Sequence, residues 1–416
     1  MKKTIFKFYS LLANDSLYRN SLYLMSGTVV MALLGFFFWI INAKLFNPDQ
    51  VGIATTLISV VVLISSFSLL GLNNGIVRYL PTSERKNQKI NTSFTIVASV
   101  STLIALIYLI SIKIFSPELL FVRENIFLAT LFVLFIVFSS LNIISENVFI
   151  AYRSSKYILI KNIIFSFVKL VLPIFLISLG AYGIFLSVGI ATVISFMVSL
   201  IFLIVKFNYL IKPTISKEVV RQMTKFSLGN YMGVFIGGLP AMVLPIMILN
   251  NLGAKFSAYF YMDLMIANLL YIIPLAVSQS LFAEGSYGEI GLKTNLKKAV
   301  KIISLILVPA IILIFIFGEY ILLAFGKEYS REGFIFLRIL SISAIFLSIN
   351  YIGNSIFYIK HKIKLIIIVN FICTSIILSL SSLLIHQSLL GIGIAWITGY
   401  GVNALIYLLL LKRHLR

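Results

Sequence analysis

Apolar residues run for twenty or more positions at a time along this chain, and each run is closed by charged residues or by Gly, Pro and Asn. The runs fall near 22–45, 51–72, 92–115, 126–150, 157–179 and 182–205. After a polar stretch from Lys206 to Lys225 they resume near 227–249, 258–281, 299–324, 334–357, 363–385 and 390–411. About 20 apolar residues in a helix cross a hydrocarbon core of about 30 Å. The pattern therefore predicts an all-α, polytopic membrane protein of about 12 transmembrane helices in two six-helix lobes. The expected segments are an N-terminal segment (1–20), an N-lobe (21–205), an inter-lobe linker (206–225), a C-lobe (226–411) and a C-terminal tail (412–416).

Composition agrees with this pattern: 60% of the 416 residues are apolar and 11% charged, with a mean hydropathy of +1.06. Soluble domains carry about 45–50% apolar and about 25% charged residues, so no soluble catalytic domain fits. The net charge of +21 would suggest nucleic acid in a soluble protein. Here its distribution decides otherwise. With a cytoplasmic N-terminus, 26 basic residues fall on the cytoplasmic side, six outside, and two (Lys169 and Arg338) within spans. Basic residues accumulate in cytoplasmic loops and face anionic lipid, so the charge reads as topology, with both termini cytoplasmic, and nucleic acid is not an expected partner. Cys373 is the only cysteine, and His361, His386 and His414 lack metal-ligand spacing, so neither a disulfide nor a metal or other cofactor is expected. The polar residues after MKKTIFKF argue against a removable signal peptide.

The halves resemble each other. Asn147, Phe149, Lys156 and Asn162 align without gaps, 208 residues on, with Ser355, Phe357, Lys364 and Asn370, and FNPDQVGI is similar to NLGAKFSAY at an offset near 206. A six-span shift keeps both halves in one orientation, the parallel pseudo-repeat of transporters that rock one bundle against another.

Three stretches carry a further resemblance: AKLFNPDQVGIATTLIS to GLNNGIVRYLP within 21–81, FSLGNYMGVFIGG to YIIPLAVSQSLFAE within 226–283, and AFGKEYSREGFIFLRILSISAIFLSINYIGNSIFYI over 324–359. In these the chain resembles the Wzx-type polysaccharide flippases (O-antigen and capsule repeat-unit translocases) of the multidrug/oligosaccharidyl-lipid/polysaccharide exporter superfamily. The resemblance implies a two-lobed carrier in the cytoplasmic membrane. Its substrate would be a polyprenyl-pyrophosphate-linked oligosaccharide, moved to the outer leaflet by alternating access. It also implies membrane lipid, polysaccharide polymerase and chain-length proteins as partners, and H⁺ or Na⁺ as a coupling cation. Physical chemistry makes the task plain. The lipid tail stays in the bilayer, whereas the sugar-pyrophosphate head cannot cross hydrocarbon unaided.

A polar path would be built from intramembrane charges, which are costly and therefore informative. Asn162, Ser166 and Lys169 share one face of span five, and Lys169 is expected to contact pyrophosphate or sugar, to pair with Glu146, or to snorkel. Glu146 shares a face with Asn142, Phe149 and Arg153. It is expected to bind a coupling cation or to pair with Lys169 or Arg153. Arg338, on a face with Ser341, and Asp263 form an expected outer-gate pair; alternatively Arg338 meets pyrophosphate or a lipid headgroup. Arg78 is placed at the cytoplasmic end of span two, to meet incoming phosphate or to anchor the span. Gly229, Gly233 and Gly237, followed by Pro240 and Pro245, predict close packing or bending of span seven.

Two other functions compete. A cation-coupled multidrug antiporter of the same superfamily would favour more buried acids than Glu146 and Asp263. A membrane-embedded glycan enzyme would want clustered carboxylates or arginines in a sizeable outer loop, and the predicted outer loops are short. No GxxxxGK phosphate loop occurs.

Overall fold

The computed structural model describes residues 16–286 and 292–414. Lys2, Lys3, Lys7 and Arg416, counted above in the charge bias, and most of the expected segment 1–20 lie outside the described residues. The helices are α1 (Ser16–Leu45), α2 (Pro48–Ser68), α3 (Leu72–Tyr79), α4 (Lys86–Phe115), α5 (Phe121–Glu124), α6 (Ile126–Ala151), α7 (Lys156–Phe175) and α8 (Ala181–Phe207). They continue as α9 (Lys217–Leu252), α10 (Ala254–Ser286), α11 (Leu292–Leu323), α12 (Lys327–Ile359), α13 (Ile363–Leu384) and α14 (Ser388–His414). No strand occurs among the described residues. Among the described residues eleven apolar stretches are long enough to cross a membrane, and the last, Ile363–Arg413, contains both α13 and α14. Twelve spans result, and the protein is an all-α, multi-pass membrane protein.

The helix ends are written locally. Asn47 and Gln50 cap α2 reciprocally, the Gln50 N–H donating to Asn47 Oδ1 at 2.9 Å and the Asn47 N–H to Gln50 Oε1 at 3.2 Å. Asn125 accepts from the Phe127 and Leu128 N–H groups and starts α6. Span two is shorter than its apolar run: Leu70 (φ 48°) and Gly71 (φ 77°) break the chain, and α3 follows as a separate helix. Arg78 is therefore on α3 and not at the end of span two. Span three starts earlier than expected, at Lys86, so that Lys89, counted among the cytoplasmic basic residues, is buried and donates to the Tyr79 carbonyl at 2.9 Å.

The internal repeat is present in the backbone. α6 ends at Ala151 and α12 at Ile359, and the 3₁₀ turns Ile177–Leu179 and Ile385–Gln387 also lie 208 residues apart. At the same offset, Arg153 (φ 52°) matches His361 (φ 53°), and Gly180 (φ 56°) matches Ser388 (φ 61°). Such angles suit glycine and strain serine. The second half therefore keeps the turn even where its sequence has lost the residue that favours it.

The chain forms two compact units. Among the described residues, one holds 16–45 and 60–231 and the other 46–59, 232–286 and 292–414, so the start of α2 groups with the C-terminal half. In the first unit α1 packs on α7, α7 on α8, α8 on α6, and α6 on α3 and α4; in the second, α12 packs on α10, α11 and α14, and α14 on α13. Gly52 of α2 lies so close to the start of α10 that a Cβ there would sit 1.7 Å from the Ala254 carbonyl oxygen. Next to it Thr56 and Ser257 hydroxyls are hydrogen-bonded at 2.7 Å.

In span seven Gly233 and Gly237 are packing positions, whereas Gly229 is not: a Cβ there would have no described neighbour within 4 Å. A Cβ on Gly237 would meet Asn370 Nδ2 at 3.3 Å, and one on Gly233 would meet Ile367 at 3.4 Å. Pro240 has no N–H to give the Ile236 carbonyl, and the Thr374 hydroxyl of α13 donates to that carbonyl at 2.7 Å instead. Backbone groups in lipid must find partners. Thr374→Val is expected to lower stability by about 1–3 kcal/mol, the cost of an orphaned buried acceptor. Thermal unfolding of purified protein would measure it, and an unchanged midpoint would contradict the assignment.

Candidate functional site

Two charges of the first unit, Lys161 and Glu146, meet inside the helix packing. The turn after α6 places Arg153 at positive φ, and the Ser155 N–H donates to Asn20 Oδ1 of α1 at 2.9 Å, which sets the start of α7. Lys161, on the second turn of α7, then faces α6. Its ammonium lies 2.8 Å from Glu146 Oε1 and donates to Asn142 Oδ1 at 2.7 Å. Ser195 of α8 donates to the same Asn142 oxygen at 3.3 Å. The Lys161 side chain is fully buried, whereas the Glu146 side chain keeps 33% of its exposure. Three helices are thus joined by one charged network inside the membrane.

This arrangement corrects two expectations. Lys161, counted above with the cytoplasmic basic residues, is the partner of Glu146, in place of Lys169 or Arg153. Asn162 and Ser166 do not line an open wall with Lys169, because both are buried in helix packing, and the Ser166 hydroxyl has no hydrogen-bond partner among the described residues. Lys169 lies two turns further along α7, half-buried, with its ammonium 4.8 Å from the Phe38 ring centre and 5.0 Å from that of Phe165. No carboxylate lies within ion-pair distance of it among the described residues. Ring faces attract a cation without consuming its hydrogen-bond donors, so Lys169 can still bind an anion.

In the second unit Asp263 and Arg338 are not paired. Asp263 is fully buried and neither carboxylate oxygen has a hydrogen-bond partner among the described residues; Gly333 packs so closely that a Cβ there would sit 2.7 Å from Oδ2. Arg338 follows Gly333 by five residues, about 140° around the helix, and faces α11 instead. It donates to the Phe315 carbonyl at 3.2 Å and stacks on the Phe334 ring at 4.0 Å. The Ser341 hydroxyl is used by the Leu337 carbonyl. Arg78 is exposed on α3, with its guanidinium 5.5 Å from the Tyr79 ring centre.

Lys161 and Ser195 are the members that sequence reasoning missed. The available signal was a lysine inside an apolar run, ILIKNIIF, the same signal that marked Lys169. No cluster of metal-binding side chains occurs among the described residues.

Similarity to solved structures extends over nearly the whole chain. An inward-facing multidrug resistance MATE family transporter of the MOP superfamily matches with a TM-score of 0.67 at 17% identity, over 95% of this chain and 94% of its own. The lipid II flippase MurJ, in an inward closed conformation, matches with a TM-score of 0.77 at 15% identity, over 94% of this chain and 87% of its own. A MOP superfamily transporter from Pyrococcus furiosus matches with a TM-score of 0.65 at 16% identity, over 96% and 95%. At these identities the likeness establishes the fold. No curated relative matches the chain at a significant level. The family model described as "Polysaccharide biosynthesis protein" matches residues 17–282, well over half of the chain. By this match the chain, with its twelve spans in repeated halves, belongs to the polysaccharide biosynthesis protein family.

Proposed function

We propose that this chain is a flippase for polyprenyl-pyrophosphate-linked oligosaccharide repeat units. It would carry them across the cytoplasmic membrane by alternating access, for cell-surface polysaccharide biosynthesis. The family match over residues 17–282 is the observation that carries this reading, and the intramembrane cations support it. In the proposed cycle the two lobes (21–205 and 226–411) move about the linker 206–225, with both termini cytoplasmic. Lys169 is the pyrophosphate contact: its donors are not committed to a carboxylate, and charge attraction strengthens where the local dielectric is low. Arg78, exposed on α3, is the entry contact, and Arg338 a later one. Polysaccharide polymerase and chain-length proteins would take over the product.

Lipid vesicles containing the purified chain test this. A labelled polyprenyl-pyrophosphate oligosaccharide should reach the opposite leaflet faster than in empty vesicles, and equal rates would refute the proposal. Lys169→Arg should keep partial transport, whereas Lys169→Gln and Lys169→Glu should abolish it with normal protein levels in the membrane. Full transport by Lys169→Gln would remove this residue from the mechanism.

A cation-coupled multidrug antiporter is the second reading, favoured by the buried Asp263 carboxylate without a hydrogen-bond partner. In that case the same vesicles would expel a cationic drug under a H⁺ or Na⁺ gradient and leave the lipid-linked sugar in place. Under the flippase reading, Glu146 and Asp263 are the candidates for a coupling cation.

A further inference from the structure

The segment between α8 and α9 is held in one conformation by side chains of α4. Asn208 (φ 50°) ends α8, and the Tyr209 N–H returns to the Leu203 carbonyl at 3.1 Å, a helix-ending turn that suits Asn. Asn87 Nδ2 donates to the Asn208 carbonyl at 3.4 Å. Asn91 accepts from the Tyr209 hydroxyl at 2.7 Å and the Lys212 N–H at 3.1 Å, and donates to the Leu210 carbonyl at 2.9 Å. The Ser216 N–H donates to Thr92 at 3.2 Å. Burial pushes the Tyr209 phenol up to about 12, so it remains a donor at neutral pH.

This fixed path turns apolar side chains outward. Leu210 is 70% exposed, and Ile211 and Ile215 are each 58% exposed. An irregular segment that uses its polar side for anchoring and displays three large aliphatic groups is unfavourable in water. Depth along the membrane resolves this. α8 has 27 residues, about 40 Å at 1.5 Å per residue, longer than a hydrocarbon core of about 30 Å, so its end reaches the headgroup level. There the exposed Lys206, Lys212 and Lys217 flank the aliphatic groups, and no acidic residue lies between Lys206 and Lys217. On α9 the exposed Glu218 has Arg85 within 3.8 Å and exposed Arg221 three positions on.

We propose that residues 206–217 form an interfacial anchor that seats Leu210, Ile211 and Ile215 in the acyl boundary and binds the headgroups of anionic phospholipid through Lys206, Lys212 and Lys217. Aliphatic insertion and basic attraction reinforce each other, as in other interfacial segments. The anchor makes the protein sensitive to the anionic lipid content of its membrane. It is independent of which substrate is carried.

The test places a bimane label at Leu210→Cys, Ile211→Cys or Ile215→Cys, with Cys373→Ala removing the only other thiol, in full-length protein in vesicles. Blue-shifted emission that resists aqueous iodide is expected. Iodide quenching equal to that of free dye would overturn the proposal. With the label at position 211, brominated phosphatidylglycerol should quench more strongly than brominated phosphatidylcholine. Lys206→Gln and Lys212→Gln should each reduce that preference by about fivefold. Equal quenching by the two lipids, or a preference unchanged in both variants, would overturn it. Excess inorganic phosphate should leave the preference intact; its loss would mean a free-phosphate site and end the lipid assignment.

Discussion

Replacing Lys161 with Met is expected to destabilise the protein by about 3 kcal/mol, the lower end of the cost of breaking a buried ion pair. The lower end applies because Glu146 keeps a third of its exposure and water can solvate it in part. Asn142 would also lose the ammonium that its oxygen accepts from. The double variant Lys161→Met with Glu146→Leu should recover most of the stability, since apolar residues of similar volume replace buried ion pairs without loss. Thermal unfolding in detergent measures this half of the prediction. A Lys161→Met protein as stable as the wild type would mean that the ammonium and carboxylate do not interact. Transport supplies the other half. If the pair only holds α6, α7 and α8 together, the double variant restores transport along with stability. If the network takes part in moving the substrate, stability returns and transport does not.

Gly52→Val is expected to be the more severe change. A Cβ at this position falls 1.7 Å from the Ala254 oxygen and 2.5 Å from its carbonyl carbon. The obstacle is backbone, at the turn where Gly253 adopts φ 94°, so no side chain can rotate away. Overpacking costs about 1–3 kcal/mol where neighbours can shift, and here the start of α2 must leave α10, separating Thr56 from Ser257. Loss of folded protein from the membrane fraction is expected, and Gly52→Ala should lower the unfolding temperature measurably. Gly35→Ala serves as the control, because nothing lies within 4 Å of a Cβ there. Equal behaviour of the Gly35 and Gly52 variants would show that the close approach is not real.

Composition and periodicity alone determined that the chain spans a membrane, where its twelve spans run, and that its halves repeat at an offset of 208. Membrane insertion sums hydrophobicity over some twenty consecutive residues, a local quantity that survives errors of a few residues at each end. The repeat was legible for a related reason. It preserves turn geometry, so that Arg153 and His361, or Gly180 and Ser388, keep the same backbone angles while the side chains diverge. The charged partners were decided only by tertiary structure. Lys161 was counted with the cytoplasmic basic residues although it lies inside the run 157–179, yet the turn at Arg153 brings it back on Glu146, fifteen positions earlier. Asp263 and Arg338 were matched by sign and depth, but Arg338 leaves α12 about 140° away from the face that meets Asp263. Pairing depends on the angle at which a side chain leaves its helix and on which helix stands opposite. Hydropathy carries neither, because every face of a span in lipid can be equally apolar.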